Sequence, residues 1–92
     1  MPRGLGYQGQ KIWRAVVAEY DIDRDPDKQR IIYDIAKLAD QIDELEKGMA
    51  GSPLTVKGSA NQIVIHPLIA ELRASRALMS NLFARLRFTD ED

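Results

Sequence analysis

Residues 25–49 read DPDKQRIIYDIAKLADQIDELEKGM, and this stretch decides the fold. Asp25 is a suitable N-cap, Pro26 a suitable first helical residue, and Asp27 favours the positive end of a helix dipole. Downstream, Ile31, Ile35, Leu38, Ile42, Leu45 and Met49 follow in steps of 4, 3, 4, 3 and 4. That is a 3.5-residue repeat, the period of a helix lying along another helix. Gly48 and Gly51 end the pattern. The stretch therefore predicts one long helix over 26–49, about 35 Å in length at ~1.5 Å per residue.

Toward the N-terminus, Ile12, Trp13, Val16, Val17 and Tyr20 form an apolar stripe with Lys11, Arg14 and Glu19 on the other face. This predicts a first helix over 8–20, preceded by an irregular segment rich in glycine. Toward the C-terminus, residues 54–57 and 62–65 are rich in β-branched side chains and flank Gly58-Ser59-Ala60-Asn61, the pattern of a β-hairpin. His66-Pro67 opens a third helix over 67–87, where Leu68, Leu72, Ser75, Met79, Leu82 and Leu86 repeat the 4, 3, 4, 3, 4 steps. The reading is mainly α: three helices with a long antiparallel helical hairpin interrupted by a short β-hairpin, assembling into an oligomeric ring. The single domain divides into an N-terminal arm and first helix (1–25), a long helix (26–50), a β-hairpin (51–66), a final helix (67–88) and an acidic tail (89–92). Trp13, Ile31, Ile35, Leu38, Ile42, Leu45, Leu72, Met79, Leu82 and Leu86 are the expected core and assembly residues.

Composition narrows the function. The chain has 92 residues and no cysteine, which excludes disulfides, thiolate metal sites and a cysteine nucleophile. A chain this short makes a marginal core by itself, so assembly is expected. No apolar run approaches ~20 residues, and Met1–Gly6 lacks the apolar stretch of a signal peptide, so a soluble, intracellular-type protein without membrane contact is expected. The 13 basic and 14 acidic side chains are segregated. Residues 20–50 hold nine acidic and five basic groups, whereas residues 51–88 hold five basic groups against Glu71 alone. Such segregation serves either polyanion binding or contact between copies.

Motifs for catalysis are weak. His66 is the one imidazole and reads as a helix-opening residue. Asp40, Asp43, Glu44 and Glu46 read as the solvated face of the long helix. Gly4, Gly6 and Gly9 have the outline of a GxGxxG phosphate cradle, but no strand precedes them and no βαβ unit follows. No cofactor and no metal is expected. The first two helices have the order of a helix-turn-helix, but the carboxylates of the second would face phosphates in a major groove. Nucleic-acid contact is better carried by Arg3, Lys11 and Arg14 on one side and Lys57, Arg73 and Arg76 on the other. The alternative partner for these groups is the acidic helix of a neighbouring copy.

Two stretches resemble a known family. Thr55–Gln62 followed by His66-Pro67-Leu68-x-x-Glu71-x-Arg73 is similar to a signature of tailed-bacteriophage terminase small subunits, in which a glycine-containing polar turn leads into His-Pro and a final helix rich in Leu and Arg. Gly4-Leu5-Gly6-x-x-Gly9-x-x-x-Trp13, with Tyr20-Asp21, resembles the same family's opening, and the long helix with Ala39-Asp40 and Leu45 also fits. The matches span most of residues 4–86. Asn61 stands where the family often has a second glycine, and both the N-terminal DNA-binding region and the C-terminal tail are short by comparison. The resemblance implies a non-enzymatic protein in the cytoplasm of an infected bacterial host. It would form a homo-oligomeric ring of about 8–12 copies, bind double-stranded viral DNA and regulate a large terminase subunit that holds the ATPase and nuclease. Lys57 would then sit at a channel, and residues 89–92 would meet the large subunit. The rival reading is a helical adaptor or oligomeric interaction module that binds no DNA.

Overall fold

The computed structural model describes residues 1–50, 55–57, 63–65 and 67–90. The expected turn at 58–61, His66 and residues 91–92 of the acidic tip lie outside the described residues, as does the Lys57 side chain. The described part is mainly helical: α1 spans Tyr7–Val17, α2 Pro26–Met49 and α3 Pro67–Asp90. Two short strands, β1 (Thr55–Lys57) and β2 (Ile63–Ile65), stand between α2 and α3. They pair antiparallel with Val56 opposite Val64.

The bounds of α2 follow from its local chemistry. The Asp25 carboxylate accepts the Lys28 N–H at 3.1 Å, Pro26 occupies the first turn, and Lys47 sits in the last. The first helix is shorter than its apolar stripe. After Val17 the chain tightens: Glu19 N–H donates to the Val16 carbonyl at 3.0 Å, three residues back. This turn releases Tyr20 and Ile22 from the helix while both still pack against the core. A further turn, in which Asp25 N–H donates to the Ile22 carbonyl at 3.1 Å, leads directly into the cap of α2. The third helix runs to Asp90, three residues past the expected end at 87.

The α2 helix is central, with α1 and α3 packed on it. Leu68 approaches Gly48, Arg76 reaches Glu46, and Leu82 and Arg85 lie beside Ile31 and Asp34. These contacts run in opposite chain directions, so α3 returns along α2. The buried core contains Val16, Ile32, Ile35, Leu38, Leu82 and Leu86. The heptad stripe is thus partly redistributed. Ile35, Leu38, Leu82 and Leu86 are buried, whereas Trp13, Ile31, Ile42, Leu45, Leu72 and Met79 are half-buried. Ile32 and Ala36, outside that stripe, are buried almost completely. The reason is geometric: a helix between two neighbours needs two apolar faces, and a 3.5-residue repeat describes one seam.

The body is elongated, 56 × 25 × 16 Å, with a radius of gyration of 16.6 Å. A compact chain of this length has about 12 Å. No helix of the described residues is long and apolar enough to cross a membrane.

Candidate nucleic-acid interface

The glycine-rich arm holds an anion, and that anion comes from the protein itself. Gly6 is the N-cap of α1 and has no side chain to cap it. The Asp40 carboxylate of α2 supplies the cap. Its Oδ2 accepts the Gly6 N–H at 2.6 Å and its Oδ1 accepts the Gly9 N–H at 2.8 Å. One carboxylate therefore makes both bonds that a capping box divides between two residues, and it meets the positive end of the α1 dipole. Glycine at position 9 is a packing requirement. A Cβ there would clash with the Asp40 carboxylate and lie 2.7 Å from the Ala36 carbonyl oxygen.

The arm before α1 is latched to the same face of α2. Gly4 turns the chain at φ +87°, in the left-handed region that favours glycine. Lys37 Nζ donates to the Gly4 carbonyl at 3.0 Å, and the Tyr33 hydroxyl donates to the Arg3 carbonyl at 3.4 Å. Gln10 Nε2 closes the arm onto the Leu5 carbonyl at 2.9 Å. Leu5 is buried by this arrangement.

The acidic cluster read from the sequence as one solvated face is divided among separate tasks. Asp40 caps α1. Asp43 pairs with Lys47 at 2.9 Å, and Glu46 with Arg76 at 3.8 Å. The bond from Asp43, with the charges of Asp43 and Glu44, pushes the Lys47 ammonium above its ordinary range. Among the described residues no group of three or more His, Cys, Asp or Glu side chains gathers as a metal site.

The candidate DNA-contact residues whose side chains are described lie on the arm, α1 and α3. Arg3, Lys11 and Arg14 are exposed on the arm and α1, and Arg14 also donates to the Gln10 side chain at 3.4 Å. Arg73 and Arg76 are exposed on α3, where Arg76 meets the acidic side of α2. Sequence reasoning missed Arg30, Tyr33 and Lys37. Their signal was present in the i, i+4, i+7 spacing of Tyr33, Lys37 and Asp40, which places all three on one face of α2. No protein-family model, no curated protein and no solved structure matches this chain.

Proposed function

We propose that this chain is a non-catalytic terminase small subunit that self-assembles through its helices, binds viral genomic DNA and regulates the large ATPase/nuclease subunit. The sequence resemblance over residues 4–86 supports the reading. One observation carries the assembly half: apolar side chains are left half-covered along the helices of a single copy. Ile12, Tyr20 and Phe83 line a concavity of about 510 Å³ between α1 and α3, and Trp13, Val17 and Ile22 line its neighbour. A 92-residue chain has little core to spare, so covering this surface with a second copy adds burial that the monomer lacks. In the assembly, α2 and α3 act as an antiparallel helical hairpin with the β1–β2 pair between them, and copies close into a ring.

Native mass spectrometry of the full chain tests the proposal. A single closed multimer of about 8–12 copies is the expected result. A monomer or dimer at micromolar concentration overturns the ring. Retention of duplex DNA on nitrocellulose at low salt tests the other half. An assembly that retains no DNA would instead be a helical interaction module.

A further inference from the structure

The arm and the exposed face of α2 together build a basic and aromatic patch that neither stretch carries alone. The Lys37–Gly4 and Tyr33–Arg3 bonds hold the backbone of Arg3 against α2 while the Arg3 side chain stays exposed. The Arg30 guanidinium lies 5.6 Å from the centre of the Tyr33 ring, within cation–π range. Tyr7, the first residue of α1 after the arm, is 76% exposed, which is high for a large aromatic side chain. Two carboxylates are close. Asp34 pairs with Arg30 at 3.2 Å, and Asp40 is engaged by the Gly6 and Gly9 N–H groups at the positive end of α1. Setting Asp34 and Asp40 against Arg3, Arg30 and Lys37 leaves a net charge of +1 on this surface, with Asp40 turned toward the Gly6 and Gly9 N–H groups.

Arg, Lys and Tyr side chains on an exposed helical face are the groups that meet phosphate oxygens along a nucleic-acid backbone. On α3, Arg76 is also paired, with Glu46 at 3.8 Å, so one cation on each face has a carboxylate partner; the arm–α2 face differs in joining cations from two segments around an aromatic ring. We propose that Arg3, Arg30 and Lys37 form a docking surface for the phosphate backbone of duplex DNA, assembled when the Tyr33 hydroxyl and the Lys37 ammonium latch the arm onto α2. The inference rests on the DNA-binding reading above and names where on the chain it operates.

The test is fluorescence-anisotropy binding of the full chain to a labelled duplex over a salt series. Each lost phosphate contact lowers the slope of log K against log salt by about 0.9, and the same constant gives about 8-fold in affinity near 0.1 M salt. Arg3→Gln with Lys37→Gln therefore loses about 60-fold per engaged copy and about 1.8 in slope. Arg30→Gln makes no contact with the arm and loses about 8-fold with the latch intact. Arg73→Gln with Arg76→Gln is the comparison, and thermal melts establish that each variant is folded. If the α3 pair carries the loss while Arg30→Gln and the arm pair bind normally, the patch is overturned and DNA binding stands. If the unaltered chain binds no duplex at the lowest salt, DNA binding itself fails and the patch falls with it.

Discussion

Replacing Gly9 by alanine sets two effects against each other. Alanine in a helix is favoured over glycine by about 1 kcal/mol, so propensity alone predicts a more stable protein. The packing at Gly9 predicts the reverse. The new Cβ would lie 2.7 Å from the Ala36 carbonyl oxygen, against an ordinary contact of 3.4 Å or more, and would also strike the Asp40 carboxylate. Both obstacles belong to α2, and the carbonyl cannot rotate away. The α1 helix must retreat by about 0.7 Å or more, at an overpacking cost of ~1–3 kcal/mol. That retreat also stretches the two Asp40 bonds, 2.6 and 2.8 Å long, and loss of a helix cap costs about 1 kcal/mol. The net expectation is a loss of about 2 kcal/mol, which lowers Tm by about 8–16 °C in a domain of this size. Thermal unfolding followed by far-UV circular dichroism measures it. Asp40→Ala gives a second reading: it removes the cap and also half of the clash, so the double variant should cost less than the two single losses added. A Tm for Gly9→Ala equal to or above that of the unaltered chain would refute the close approach of α1 to α2.

Two further outcomes concern the central helix. Ile35→Ala empties a fully buried position among Ile32, Leu38, Leu82 and Leu86 and should cost ~2–5 kcal/mol by denaturant titration, well above half-buried Ile31→Ala. Asp25→Ala removes the acceptor of the Lys28 N–H and should cost about 1 kcal/mol, read as a lower denaturation midpoint with an unchanged slope.

The long helix was legible because its signals are local. The Asp25-Pro26 start acts within a turn of the helix end and agrees with the observed beginning at Pro26, whereas Gly48 lies inside the helix and the chain leaves it at Ala50, whose backbone is extended. The first helix was overextended for a physical reason. Tyr20 continues the apolar stripe and does pack on the core, but from a turn closed by the Glu19–Val16 bond. Apolar spacing reports what is buried, and not whether the backbone between is still helical. Ile32 and Ala36 were missed because they belong to a second face of α2. That face is apolar only where another helix comes close.

The candidate site follows the same division. The exposed basic residues of α1 and α3 were legible, since charged residues off an apolar stripe stay in solvent. Asp40 was misread as solvated because its partners lie 31 and 34 residues away in the chain. The glycine pattern was read as the outline of a phosphate cradle and set aside for want of a strand before it; nothing local says that a carboxylate of the same chain binds there.

By itself, the sequence determined a mainly helical chain, the extent of its central helix, a segregated charge pattern and an arm rich in glycine. Periodicity, caps and charge act over a few residues, so they can be read without knowing the fold. The tertiary structure alone decided that α2 is covered on two sides, that Asp40 caps α1, and that the Arg3-Gly4 backbone is held by Tyr33 and Lys37. Each depends on the approach of segments distant in the chain, and for α1 and α2 that approach is permitted by the absence of a Cβ at Gly9.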